Sequence, residues 1–255
     1  ALLTDVSAAA VPMALTGSVL DFTLRIDPAL LGPMRDELLG VGRLRLDPAL
    51  EEGAAEALRA ELEASNEWAL SWRQGPAERE ADAATLARLS PAQLTALEAF
   101  ARAGDEHTFR FMHDTIRVSP KAEGRAARGM LLDRYVDALN APETLAVMSE
   151  LTGEAVRYYN GDATRYRPGH FLTTHNDGRK HGKRVAAMVL NLSHWHIDWG
   201  GLMLFHDADG ERATAWIPRF NTANLFLVPQ DHSVTWVNAL AARPRVAVAG
   251  WFYAD

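Results

Sequence analysis

The stretch Tyr166 to Asp177 reads Y-R-P-G-H-F-L-T-T-H-N-D and holds two side chains able to bind a metal ion, His175 and Asp177, two residues apart. Alternate side chains of a β-strand share a face, so this spacing sends an imidazole and a carboxylate into one cavity. One imidazole and one carboxylate are two-thirds of a 2-His-1-carboxylate facial set, which grips Fe(II) from one side and leaves three positions open for reactants. The third ligand is expected from a distant histidine on a neighbouring strand, and His232 is the candidate. Taken alone, His232 also reads as an exposed turn histidine, since it follows Pro229-Gln230-Asp231.

A second H-x-D, His196-Ile197-Asp198, competes for the role. It sits in S-H-W-H-I-D-W-G-G, between the apolar run Val185 to Leu192 and the pair Gly200-Gly201, which is the context of an inter-strand loop. Nothing there holds two side chains to one face. His175 instead follows the turn Pro168-Gly169 and the extended run Phe171 to Thr174, so the first pair is the expected ligand pair. Arg245 opens the last apolar run, R-V-A-V-A-G-W-F. A buried arginine is costly unless it meets an anion, so it reads either as a clamp for a carboxylate or as a strand-end side chain reaching solvent. Arg243 has the same parity, and alternation does not separate the two.

The elements that must position these residues fall into two textures. Before about residue 155 helical signals dominate. Asp27-Pro28 and Asp47-Pro48 each place a capping residue before proline at a first helical position. Leu50, Ala54, Leu58 and Leu62 recur every four residues, and Ser90-Pro91-Ala92-Gln93 reads as a capping box. Further helices are expected over 126–139 and 143–151. Phe22 to Ile26 reads as a short strand, Thr108 to Val118 as an extended pair, and 74–83 as a polar exposed loop.

Past Arg157, short apolar runs alternate with turn residues, the all-β pattern. About eight strands are expected on that spacing rule, near 156–160, 163–175, 184–192, 201–206, 213–217, 224–228, 233–237 and 245–253. Asp209-Gly210 supplies a hairpin turn. The order of helices first and strands after predicts a β-sandwich or barrel braced by helices, in one domain over 1–255.

Composition narrows the function. The chain has 255 residues, 48% hydrophobic and 23% charged, as a globular protein has. A net charge of −7 argues against direct nucleic-acid binding, which needs a basic surface. With no cysteine there is no disulfide framework, thiolate metal site or thiol nucleophile, so a metal must rest on His, Asp and Glu. This suits a reducing cytoplasm. No apolar run reaches the length of a membrane span. Residues 1–20 read as a loose lead-in without the basic start of a secretory signal, since the first basic residue is Arg25.

Five ordered stretches carry a resemblance: Y-R-P-G-H-F-L-T-T-H-N-D, K-R-V-A-A-M-V-L-N-L-S-H-W, W-G-G-L-M-L-F, F-N-T-A-N-L-F-L-V-P-Q-D-H-S-V and P-R-V-A-V-A-G-W-F-Y. Over about residues 155–253 the chain resembles the prolyl 4-hydroxylase branch of the Fe(II)/2-oxoglutarate-dependent dioxygenases, and in its ending the ribosomal-protein and hypoxia-factor prolyl hydroxylases. The resemblance implies a double-stranded β-helix (jelly roll) over 156–255, with 1–155 as mostly helical support. It implies Fe(2+), 2-oxoglutarate and O2, with ascorbate as reductant, and hydroxylation of a prolyl residue in a protein substrate with release of succinate and CO2. A small-molecule hydroxylase and a non-catalytic jelly-roll binding protein are the alternatives.

By the resemblance, His175, Asp177 and His232 are the iron ligands. Arg245, six before Trp251, pairs with the distal carboxylate of 2-oxoglutarate, and Tyr166 donates a hydrogen bond to it. One departure is Val189, where relatives often carry a tyrosine that helps hold that carboxylate. The clasp is then left to Arg245, with Tyr166 or Thr173 as helpers. Trp195, Trp199 and Trp236 are candidates to line a peptide groove, and the basic segment 178–183 is a candidate lid.

Overall fold

The computed structural model describes residues 20–178 and 182–254. The lead-in up to residue 19 and the middle of the basic segment, 179–181, lie outside the described residues. After a 3-10 turn at Pro28–Leu30, capped by Asp27, come α1 (Leu31–Val41), β1 (Arg43–Leu46), α2 (Glu52–Ala64), β2 (Ala69–Gln74) and β3 (Ala77–Ala81). The short α3 (Ala83–Leu86), α4 (Pro91–Arg102), β4 (Arg110–Ile116), α5 (Ala122–Arg128), α6 (Leu131–Leu139) and α7 (Pro142–Thr152) follow. Then come β5 (Tyr158–Tyr166), β6 (Phe171–His175), β7 (Arg184–Asn191), β8 (Met203–His206), β9 (Ala213–Trp216), β10 (Thr222–Leu227), β11 (His232–Val234) and β12 (Arg245–Tyr253).

The strands pair in the order β1-β10-β7-β12-β5-β4-β6-β11-β8-β9, and the β2–β3 hairpin joins through β4. This mainly antiparallel sheet curls into a jelly roll of the double-stranded β-helix type, with the helices bracing its convex side. Alternation along β12 shows how the two faces divide. Val246, Val248 and Phe252 enter the main core, with Leu58 and Leu62 of α2, Tyr135 and Val136 of α6 and Met148 and Leu151 of α7. Arg245, Ala249, Trp251 and Tyr253 line a cavity on the other face. On β5 the same split sends Tyr159 and Ala163 to the core, and Asp162, Thr164 and Tyr166 to the cavity.

The four-residue repeat leading into α2 is buried throughout, with Leu50, Ala54, Leu58 and Leu62 all at 0% exposure. Each such leucine contributes about 1.5–3 kcal/mol on burial, which is what fastens the helix to the sheet. The capping box at Ser90 forms, and Gly210 takes φ 70° at the turn between β8 and β9.

Several expectations need correction. Asp47-Pro48 does not open α2. The helix starts at Glu52, and the Glu51 carboxylate accepts from the Ala54 amide instead. Residues 22–26 form no strand, although Phe22 and Leu24 are buried in the core. The stretch 74–83 is not a loop: it is the turn of a hairpin plus β3, whose Glu78, Arg79 and Glu80 hide a strand behind charge. Thr108 to Val118 holds one strand, β4. The span 126–139 is two helices, because Gly129 closes α5 with φ 72°. The expected strands 156–160 and 163–175 regroup as β5 and β6, divided at the Pro168-Gly169 turn.

Candidate active site

His175 closes β6, and His232 opens β11 directly opposite it in the antiparallel register. Their rings lie 4.1 Å apart. Asp177 reaches both: its Oδ1 is 3.6 Å from His175 Nε2 and its Oδ2 is 3.5 Å from His232 Nε2. One donor atom from each of the three lies within 4.8 Å of the others, a geometry that could hold a metal ion. Strand alternation is not what brings Asp177 in, because β6 has ended at His175. Asp177 instead takes a left-handed backbone with φ 61°, a conformation that aspartate tolerates better than most residues, and this turns its carboxylate back to the imidazoles.

The two rings are oriented by their rear nitrogens. His175 Nδ1–H donates to the Thr173 carbonyl at 3.1 Å, and His232 Nδ1–H donates to the Gln230 carbonyl at 2.7 Å. A carbonyl only accepts, so these bonds select one tautomer and leave both Nε2 lone pairs facing Asp177. Burial pushes both imidazoles below the ordinary histidine range, and His232, with His175 adding to the effect, falls to about 4. Near neutral pH both rings are unprotonated, as metal binding requires. Asp177 is also held by Arg184, whose Nη1 lies 3.3 Å from both its Oδ1 and its carbonyl oxygen. The Arg184 guanidinium is stacked 3.6 Å over the Trp251 ring, and its Nε donates to the Tyr253 hydroxyl.

The triad opens onto a cavity of about 800 Å³. Arg245 lines the wall with Tyr166, its partner across the β5–β12 ladder, and its guanidinium lies 5.2 Å over the Tyr166 ring. Arg245 is only 2% exposed, and among the described residues no acidic group accompanies it. Its Nη2 donates to Asn191 at 3.4 Å, while Nε and Nη1 have no partner. A buried cation left short of acceptors could receive an anion. Arg243 lies exposed beyond the strand, 6.0 Å from the Trp199 ring, so the structure separates the two arginines that parity does not.

Other expected residues lie elsewhere. Thr173 Oγ1 is occupied by the backbone of Arg110, accepting from its amide and donating to its carbonyl, and is no part of the cavity wall. Trp195, Trp199 and Trp236 do not line the cavity; Trp251 does. Trp195 and Trp199 border a separate open groove, and Trp236 stacks on Phe171. His196 and Asp198 are exposed, and His196 caps the single 3-10 turn that contains Asp198.

The sequence reading missed a wall of rings on β4 and just before it. Phe109 stacks on His175 at 4.9 Å, Phe109 meets Phe111 at 5.9 Å, Phe111 stacks on His113 at 5.0 Å, and His113 meets Tyr166 at 5.2 Å. The alternation F-R-F-M-H was the available signal, and it pointed only to a strand. The cavity widens over Ser71, Thr115, Thr164 and Asp162 toward the β2–β3 hairpin, where Arg117 pairs with Glu78, Glu80 and Asp162.

The site assembles two imidazoles, a carboxylate and a buried guanidinium with unpaired donors. Residues 161–253 match the model of the 2OG-Fe(II) oxygenase superfamily. A search of curated proteins returns no match. Among solved structures, a prolyl-4-hydroxylase from Pseudomonas putida is 20% identical, covering 88% of this chain and 99% of that one with a TM-score of 0.59. A Trichoplax adhaerens prolyl hydroxylase, solved with a hypoxia inducible factor peptide, is 14% identical over 89% of this chain and 90% of that one, TM-score 0.53. The 2-oxoglutarate-dependent epimerase SnoN of nogalamycin biosynthesis has the same TM-score, 0.53, at 14% identity over 89% of this chain and 83% of that one. Residues 161–253 are a 2OG-Fe(II) oxygenase domain, and the chain as a whole shares the fold of the prolyl hydroxylases.

Proposed function

We propose that this enzyme hydroxylates a prolyl residue presented by a protein, with Fe(II), 2-oxoglutarate and O2 as the reacting set and succinate and CO2 as co-products. Ascorbate would serve as the reductant that keeps the iron ferrous. The observation that carries this reading is the pairing, in one cavity, of the His175–Asp177–His232 triad with the unpartnered guanidinium of Arg245.

The residues present fit the groups the family uses. His175, His232 and Asp177 would hold the iron, with both imidazoles already in the right tautomer. When bound, iron and co-substrate supply the oxidising chemistry, which no protein side chain can. The chain's own work is placement. Arg245 would neutralise the distal carboxylate of 2-oxoglutarate in a site where water is scarce, and Tyr166 would donate a hydrogen bond from the same wall. Burial pushes the Tyr166 phenol up to about 12 against the pull of Arg245, so it stays a donor throughout the physiological range.

A protein substrate is supported by the cavity itself. Its volume of about 800 Å³ exceeds what a five-carbon dicarboxylate fills, and the surplus runs as a polar trough toward the β2–β3 hairpin. The fold also carries the SnoN epimerase, so a small-molecule substrate is the reading to test against. Coupling of succinate formation to a mass gain of one oxygen, compared between proline-containing peptides and free amino acids, separates the two.

The site assignment has its own test. Anaerobic addition of Fe(II) and then 2-oxoglutarate should give a saturable visible charge-transfer band, absent in His175→Ala. A folded protein that shows no band overturns the assignment.

A further inference from the structure

Among the described residues Arg245 has one side-chain hydrogen-bond partner, and that partner is itself locked. Asn191 ends β7 at 0% exposure, between Thr222 of β10 and Ala247 of β12. Its Nδ2 donates to the Thr222 carbonyl and to Thr222 Oγ1, both at 3.2 Å. That hydroxyl has given its own proton to the Arg219 carbonyl at 2.7 Å, so it accepts from Asn191. The amide direction is thereby forced from both ends. A flipped Asn191 would set its oxygen against the Thr222 carbonyl and its NH2 against a guanidinium that has only donors. Oδ1 is left facing Arg245 Nη2 at 3.4 Å. Two residues back on the same face of β7, Val189 offers no hydrogen bond.

We propose that Asn191 is a positioning residue for the anion socket. By accepting from Nη2 it fixes the rotation of the Arg245 guanidinium and leaves Nε and Nη1 as the unpaired donors for a distal carboxylate. The proposal rests on the reading of Arg245 as the 2-oxoglutarate clamp. A neutral acceptor is what such a socket needs at this position. An aspartate would pair with Arg245 permanently and compete with the ligand. A side chain without an acceptor would leave the whole fork free to rotate, and an arginine has rotamer freedom to lose on binding.

The test compares two ligands that share a keto-acid end. 2-Oxoglutarate has a distal carboxylate, and 2-oxobutyrate has none. Each is titrated by calorimetry into Mn(II)-loaded protein, where no turnover occurs, for the native chain, Asn191→Ala and Asn191→Asp. The expected loss of 2-oxoglutarate affinity is about tenfold for Asn191→Ala, the size of one hydrogen bond to a charged group, and at least tenfold more for Asn191→Asp. Both variants should keep 2-oxobutyrate affinity within about twofold, because their effect passes only through Arg245.

Equal losses for the two acids would mean a general disturbance of the site, and unchanged 2-oxoglutarate affinity would mean that Arg245 needs no orientation; either result overturns the proposal. The Thr222 carbonyl opposes an aspartate, so thermal unfolding of each Mn(II)-loaded variant is measured first, and Asn191→Ala decides alone if Asn191→Asp does not fold. A native protein that binds the two acids equally would remove Arg245 from the co-substrate site, and the role of Asn191 with it.

Discussion

Arg184 holds the candidate metal carboxylate from outside the triad. It contacts Asp177 twice, and its own position is set by stacking on Trp251 and by the Tyr253 hydroxyl. Groups that orient a ligand in this way typically govern metal affinity by 10–100-fold. Arg184→Met keeps the bulk and removes the charge, and should weaken Co(II) binding by a factor in about that range. A calorimetric titration with unchanged affinity would show that the left-handed turn at Asp177 suffices. Arg245→Ala should raise the 2-oxoglutarate requirement about 100-fold or more, as loss of one partner of a buried charge pair does, while Arg243→Ala changes it little. Equal effects in the co-substrate titration would mean that neither arginine reads that carboxylate.

At this scale the sequence was legible in identity and less so in cause. His175, Asp177 and His232 do converge, but a positive φ rather than strand parity delivers Asp177. Parity left Arg243 and Arg245 tied, and in the structure the tie breaks where the ladder with β5 begins, at Arg245 opposite Tyr166. His113, Arg184 and Asn191 carried no local signal, because the contacts that bring them to the site reach across the chain, from His113 to Tyr166, from Arg184 to Asp177 and from Asn191 to Thr222 and Arg245.

Among the elements, β4 is the seam of the fold, since it pairs with β2, β5 and β6. Its cavity face carries Phe111, His113 and Thr115, and its other side carries Asp114. Asp114 is 2% exposed and accepts from Arg165 Nε and from both Nε and Nη2 of Arg167, each at 2.8 Å. Burial pushes its carboxyl up, but the hydrogen bond and charge of Arg167, with His170 and Arg165 adding, hold it below the ordinary carboxylate range. A carboxylate depressed in the folded state adds stability above its unfolded pKa and loses it as pH falls through the folded value. Asp114→Asn should therefore cost about 3–5 kcal/mol at pH 7, where it strands two arginines. The gap from the native protein should narrow in denaturant melts below about pH 4, where the unfolded carboxyl begins to protonate. A gap that does not change with pH would assign the loss to packing. The β2–β3 hairpin escaped the sequence reading for a related reason: its outer strand is so charged that its periodicity resembles a solvated loop.

For the whole molecule, the division into helical support and β core understates how the halves interlock. β1 extends the sheet beyond β10, and β4 fills the place between β5 and β6, so residues before 155 supply strands as well as cover. A fragment starting at residue 156 would lack β4 and would bare the face of Val246, Val248 and Phe252. We expect such a fragment to show no cooperative thermal transition and to bind a hydrophobic dye. A sharp transition would mean that the C-terminal strands fold alone. No described helix is long and apolar enough to cross a membrane.

The run of rings from His175 through Phe109, Phe111 and His113 to Tyr166 has a thermodynamic consequence. Each ring is already held by its neighbours, so this wall has little side-chain entropy left to surrender when a ligand arrives. Most of the entropic penalty of ordering it was met during folding. Affinity at this face of the cavity is then governed by what the ligand loses in leaving water, and a flexible substrate segment will bind in proportion to its own stiffness.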